Sequence, residues 1–329
     1  MKKVISLILA VLLVASCLTA CGSGDNPPAE ETEKLQIVTT IFPEYDWVMN
    51  ILGENPANAE VTLLLDSGVD LHSFQPSAED IMKISTCDLF IYVGGESDKW
   101  VEDALEEATN KDMVVINLLD LLGDAVKEEE VVEGMQEEEH GHEHEHEEGE
   151  VEYDEHVWLS LKNVDVFVES ISEEVQKLDP ENADSYKKSA ADYIKKLDAL
   201  DAAYQDAAAD ASSDTLLFGD RFPFRYLVDD YGLSYYAAFV GCSAETEASF
   251  ETITFLAQKV DELSLPAVMT IEGNDHRIAE TIVQNTKTKD QKILTMDSMQ
   301  SVTAKDVENG TTYLAVRENN LSVLKDALK

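Results

Sequence analysis

Four of the seven histidines in this 329-residue chain fall in one short tract, residues 137–146, EEEHGHEHEH. His140, His142, His144 and His146 alternate there with glycine or glutamate. Imidazole is the commonest protein ligand for divalent transition metals, and a short histidine-rich tract is a compositional sign of metal binding. The tract sits inside an acidic run, residues 128–155, that contains no lysine or arginine. Such a run buries too little apolar surface to offset its ordering entropy, so a mobile, cation-attracting loop is expected. The other three histidines stand apart: His72 in Asp70-Leu71-His72-Ser73-Phe74-Gln75-Pro76-Ser77, His156 in Asp154-Glu155-His156-Val157-Trp158-Leu159, and His276 in Glu272-Gly273-Asn274-Asp275-His276. A lone histidine is more often a satisfied or surface side chain than a ligand, so each needs a structural context.

The surrounding elements supply one. Residues 35–41 (LQIVTTI), 61–65, 89–93 and 113–118 are short β-rich apolar runs, and helical patterns near residues 45–52, 78–84 and 100–108 separate them. This alternation implies βα units and a parallel sheet. Residues 164–178 are amphipathic. From Pro180 to about Ala211 no glycine interrupts a stretch in which Tyr186, Ala190, Tyr193, Leu197, Leu200 and Tyr204 recur at three- and four-residue spacing, which predicts one long helix. Strand and helix signals resume at residues 216–218, 224–229, 235–240, 250–263, 267–271, 278–285 and 292–296, and the chain closes on a helix over 316–328. The fold class is therefore α/β: a lobe over residues 35–179, a connecting helix over 180–211 and a second lobe over 212–329. Ligand sites in such folds collect outside the carboxyl ends of strands and between domains. His72 and His276 each follow a predicted strand.

The N-terminus reads as a secretory signal over residues 1–20. Lys2 and Lys3 precede an apolar stretch too short to span a bilayer comfortably, and Leu18-Thr19-Ala20-Cys21 follows. The ending resembles the bacterial lipobox, in which the cysteine is lipidated and becomes the mature N-terminus. Residues 21–34 then form a lipidated polar tether, and the protein is expected outside the cytoplasm, anchored to the cell membrane through Cys21. With 67 acidic against 24 basic side chains, the net charge is −43. That charge excludes nucleic acid as a partner and suits collection of cations. Cys87 and Cys242 are expected to be free thiols: Cys87 lies in an apolar run and Cys242 in a Gly-Cys-Ser loop.

With these residues in view, the chain resembles the solute-binding lipoproteins of bacterial zinc and manganese ABC transporters, the cluster A-I metal-binding proteins. The motif around His72 matches, with Leu71 in place of the family's usual proline, and so does the motif around His156. Residues 88–95 (DLFIYVGG), Trp100 and Leu294-Thr295-Met296-Asp297-Ser298 match as well, and the histidine-rich tract lies where zinc members carry theirs. The resemblance implies two lobes joined by one rigid helix, with a single metal in the cleft, and His72, His156 and Asp297 as ligands. Two imidazoles and a carboxylate suit zinc, and a fourth ligand would close a tetrahedron. The chain departs from the family at that fourth position. Aligning on Phe224 and Tyr226 places Arg221 where zinc members have histidine, and arginine cannot ligate. Asp220 is the leading substitute, with a pairing to Arg221 or Arg225 as its alternative role. Glu272, His276, water or a histidine of the mobile tract are the other candidates.

The resemblance makes Zn2+ the expected cargo and Mn2+ the alternative. A set of two histidines and two carboxylates drifts toward manganese, whereas the tract and the affinity order favour zinc. Capture of extracellular zinc by a monomer, for delivery to an ABC permease, is the leading function. A metal-dependent surface adhesin is the alternative. A zinc enzyme would use a similar ligand set, but the chain carries no HExxH or other hydrolase motif, so it is read as a non-enzyme.

Overall fold

The alternating apolar runs resolve into two parallel sheets. The computed structural model describes residues 34–54, 58–136, 152–243, 247–273 and 275–329. The signal segment, Cys21 and the four histidines of the tract lie outside them. In the first sheet, β1 (Leu35–Thr39), β2 (Ala59–Leu63), β3 (Leu89–Tyr92) and β4 (Val114–Asn117) stand in the order β2-β1-β3-β4. In the second, β5 (Thr215–Phe222), β6 (Ser234–Val240), β7 (Ala267–Ile271) and β8 (Lys292–Met296) repeat that order as β6-β5-β7-β8. Every pairing among them is parallel. Parallel strands are covered on both faces, which explains why they read as continuous apolar runs rather than alternating ones. All five residues of β7 are buried, for example.

The crossover helices are α1 (Phe42–Leu52), α2 (Ala78–Thr86), α3 (Trp100–Glu106) and the short α4 (Leu118–Leu122) in the first lobe. The chain then passes through α5 (Leu161–Leu178) and the 27-residue α6 (Ala183–Ala209) into the second lobe. The predicted stripe on α6 is the buried one: Tyr186, Ala190, Tyr193, Leu197, Leu200 and Tyr204 all lie in the core. In the second lobe α7 (Arg225–Tyr231), α8 (Phe250–Leu263) and α9 (Arg277–Asn285) cross between strands, and α10 (Ala304–Glu308) and α11 (Tyr313–Ala327) close the chain. Two features were not apparent in the pattern. Helix α10 is a five-residue turn held by a Thr303/Asp306 capping box. Strand β5 runs through Phe222, with a register shift between Phe218 and Arg221.

Directed bonds lock the lobes together. Trp158 Nε1 donates to Ser298 O (2.9 Å), and Tyr313 Oη donates to Trp158 O (2.7 Å). Tyr313 N donates to Asp46 in α1 (3.2 Å), and Ala304 N donates to Asp66 O (2.6 Å). Trp47, Phe167 and Tyr313 meet in one aromatic cluster beneath these bonds.

Candidate metal centre

Both N-lobe histidines are fixed by acidic neighbours in their own motifs. After β2 the chain makes a single 3-10 turn, Leu71–Ser73. Leu71, where the family has proline, is buried, and Asp70 caps the turn by accepting from His72 N (3.1 Å). His72 Nδ1 then lies 2.7 Å from Ser97 Oγ and 3.4 Å from Glu155 Oε2. Burial alone would raise the Glu155 carboxyl; hydrogen bonds from His72 and Ser97 outweigh it and hold the group below the usual carboxylate range. Glycine is required beside it. Gly95 has φ +82°, and a Cβ there would sit 2.3 Å from Glu155 Oε1.

His156 is fully buried. Asp154 Oδ1 accepts from its backbone N (2.9 Å) and stands 3.0 Å from its Nδ1. A carboxylate against each Nδ1 places the ring proton there and leaves both Nε2 lone pairs facing inward, the arrangement that orients metal-bound imidazoles. The two Nε2 atoms are 3.2 Å apart. Two nitrogens bound tetrahedrally at zinc's usual 2.0–2.1 Å would be about 3.3 Å apart.

From the C-lobe, Cys242 reaches this pair. Nitrogen atoms of His72 and His156 and the Cys242 Sγ all lie within 4.8 Å of one another, the only such group of three or more potential ligands among the described residues. Cys242 follows β6, and the backbone beside it packs on the ring: a Cβ on Gly241 would sit 2.9 Å from His156 Cε1. Burial pushes the thiol well up from its ordinary value, and the nearby carboxylates of Glu155, Glu129 and Asp154 add to the effect. The side-chain amide of Gln300 lies 3.2 Å from His156 Nε2 and 3.1 Å from Asp70 Oδ1.

The other residues expected in the site lie outside this close group. Arg221 lies beyond the register shift in β5 and reaches across the cleft, its Nη2 2.7 Å from Asp70 Oδ2. Burial raises Asp70, but the Arg221 guanidinium and His72 together outweigh that and lower it. Asp220 turns toward backbone instead, accepting from Arg221 N (2.9 Å) and Ile271 N (3.2 Å). Glu272 accepts from Ser298 N (2.7 Å), Ser298 Oγ (2.6 Å) and Gln300 N (3.1 Å). Asp297 accepts from Met299 N (2.7 Å), and burial, reinforced by Glu272, raises its carboxyl to about 6. His276 precedes α9, its Nδ1 buried without a hydrogen-bond partner among the described residues. Asp220, Glu272, Asp297 and His276 are not in the close group with His72 and His156.

The acidic run is ordered at both ends, contrary to the expectation of a loop mobile throughout. Glu128 and Tyr153 form an antiparallel bridge, Glu129 N donates to Glu152 O (2.9 Å), and Gln136 N donates to Ala238 O in β6 (2.9 Å). Charge composition hid this pairing, because backbone groups satisfy it. Cys87 and Cys242 are both free, as expected. The proximity of Cys242 to the two histidines is not legible in the sequence, where the only hint is its place just after a predicted strand.

With this geometry in hand, comparison with known proteins is specific. A family model described as zinc-uptake complex component A, periplasmic, matches residues 37–327. The zinc-binding lipoprotein AdcA of Streptococcus pneumoniae serotype 4 is 32% identical over 325 residues, 99% of this chain and 61% of the relative. This chain thus spans about three-fifths of that relative's length. The high-affinity zinc uptake system protein ZnuA of Bacillus subtilis is 29% identical over 323 residues, covering 97% of both chains. Among solved structures, the Zn(II)-bound ZnuA-like domain of Streptococcus pneumoniae AdcA is 28% identical, with a TM-score of 0.69 over 90% of this chain and 99% of that one. The metal-dependent lipoprotein YcdH of Bacillus subtilis is 26% identical, with a TM-score of 0.71 and the same coverage.

Proposed function

Because the chain belongs to the zinc-uptake complex component A family, we propose that it is an extracytoplasmic solute-binding protein that captures Zn2+ and hands it to an ABC importer. One observation carries the reading: two imidazoles from separate N-lobe loops, each backed by a carboxylate, turn their Nε2 atoms toward one point 3.2 Å apart. Such a pair binds a divalent transition metal and favours zinc over manganese, for which oxygen ligands are better suited.

In this reading His72 and His156 are the imidazole ligands, and the C-lobe supplies the remainder of the shell. Residues 35–179 and 212–329 act as the two lobes, with 180–211 as the brace between them. The histidine-rich tract serves as an accessory collector, and Cys21 carries the lipid anchor that keeps the protein at the membrane beside its permease. The protein works as a monomer, and its task is transport rather than catalysis.

The test is competition titration against a chromophoric chelator, with elemental analysis of the purified protein. One tightly held zinc per chain is expected, retained when residues 137–146 are deleted and lost in His72→Ala. Tight binding that disappears on deleting the tract and survives His72→Ala would overturn the cleft as the primary site.

A further inference from the structure

We propose that Cys242 is a metal ligand, so that the cargo is held by two imidazoles and a thiolate. The proposal deepens the zinc-capture reading and rests on it.

Three observations support it. First, Cys242 Sγ belongs to the close group with His72 and His156, whereas Asp220, Glu272 and Asp297 do not. Nitrogen and sulfur bound tetrahedrally to one zinc lie about 3.6 Å apart, given bonds near 2.0 and 2.3 Å. The group already lies within 4.8 Å, so each spacing exceeds the bound one by at most about 1.2 Å. Second, the placement follows from the topology. The two sheets have the same strand order, His72 follows β2, and Cys242 follows β6, the strand in the equivalent place of the second sheet. Each lobe thus delivers a ligand from the loop after its corresponding strand. Third, the position where the resemblance calls for a C-lobe ligand and its leading substitute are both engaged elsewhere. Arg221 stands where the resemblance calls for an imidazole and is paired with Asp70, and both oxygens of Asp220 accept backbone N–H groups.

On binding, a metal–sulfur bond forms as the S–H bond breaks, and the proton leaves to solvent. Two nitrogens and a sulfur leave one tetrahedral position for water or a carboxylate. The set is softer than two histidines with two carboxylates and discriminates against manganese without help from the histidine-rich tract.

Cobalt(II) substitution reads the sulfur directly, because a thiolate bound to cobalt gives a near-ultraviolet charge-transfer band that nitrogen and oxygen ligands do not. The full chain loaded with cobalt should show the band. Cys242→Ser should lose it and bind zinc at least about tenfold more weakly, the lower end of what lesser changes around a metal cost. Cys87→Ser should keep both the band and the affinity. Cys242→His should lose the band while retaining one zinc, which guards against a serine variant that merely misfolds. Tight zinc binding with no band in the wild type, or a band that persists in Cys242→Ser, would overturn the thiolate while leaving zinc capture standing. A wild-type protein that takes up no zinc would overturn both.

Discussion

The two lobes share one strand order but treat their polar side chains in opposite ways. In the N-lobe, carboxylates face imidazoles: Glu155 lies against His72 and Asp154 against His156, so each ring is held with Nε2 toward the cleft. In the C-lobe, carboxylates face backbone. Glu272 gathers residues 298–300, Asp220 bridges β5 to β7, and Asp297 accepts from Met299 N. What the C-lobe presents to the histidines is a thiol and an amide, while its guanidinium is turned onto Asp70. A shared topology therefore fixes where loops meet, and the local hydrogen bonds of each loop decide whether an acidic residue orients a ligand or staples a turn.

That contrast is most exposed to a pair of substitutions. His156→Ala should reduce zinc affinity by more than the roughly 10–100-fold that changes in surrounding residues cost, because it removes outright a buried imidazole of the proposed site. Glu272→Gln should leave one zinc bound and instead lower unfolding free energy by about 1–3 kcal/mol, as a partly buried acceptor of three hydrogen bonds is weakened. Chelator competition and urea unfolding on the same preparations separate the two. If Glu272→Gln lost zinc as completely as His156→Ala with stability unchanged, the C-lobe carboxylates would be ligands and the contrast would fail.

A smaller effect is expected behind the rings. Asp154→Asn keeps an acceptor for His156 N but also offers an N–H to Nδ1, which allows the wrong tautomer. Zinc affinity should fall by about 10–100-fold with stoichiometry unchanged. Unaltered affinity would mean that the tautomer is set elsewhere, and the carboxylate backing of the N-lobe would lose its significance.

The sequence carried different parts of this picture unequally. The βα alternation and the α6 stripe were readable because burial on one helical face or both sheet faces forces a periodicity. The His156 motif was readable because it packs the histidine and the acids that face both rings, Asp154 and Glu155, into three consecutive residues, whereas the His72 motif supplies only the backbone cap Asp70. The C-lobe side was not. Asp220 precedes Arg221 in sequence, yet the register shift in β5 sends one to the backbone of β7 and the other across to Asp70. Gly219 is part of that shift, since a Cβ there would sit 2.6 Å from Ala279 Cα in α9. Cys242 met His156 only through packing between residues 86 positions apart, which no local pattern encodes. The ordered ends of the acidic run were hidden likewise, because their partners are main-chain atoms.

The smallest effect expected on the metal separates the cleft from the frame that holds it. Asp46 lies on α1, is buried, and accepts from Tyr313 N of α11 and, more weakly, from Tyr193 Oη of α6, so it ties both lobes to the brace. Burial raises its carboxyl from 3.8 to about 6, outweighing those two bonds. The folded protein therefore holds this proton more tightly than the unfolded chain does. The group's contribution to stability is full below about pH 4, is lost as pH rises from about 4 to about 6, and is flat above that. The whole excursion is at most about 3 kcal/mol at 1.36 kcal/mol per pH unit. Asp46→Asn keeps an acceptor for these two donors and for Asn50 Nδ2, the third donor to this carboxylate, and cannot ionise. Relative to this variant, the wild type should therefore be less stable at pH 7.5 than at pH 4.5, as read by urea unfolding at each pH. Zinc affinity at pH 7.5 should be the same in both proteins, since none of the hydrogen bonds of Asp46 reaches a cleft histidine. A stability difference that does not change with pH would show that Asp46 ionises normally in the fold. A loss of zinc affinity in the variant would show that the frame and the cleft are one coupled unit rather than a scaffold with a site built on its loops.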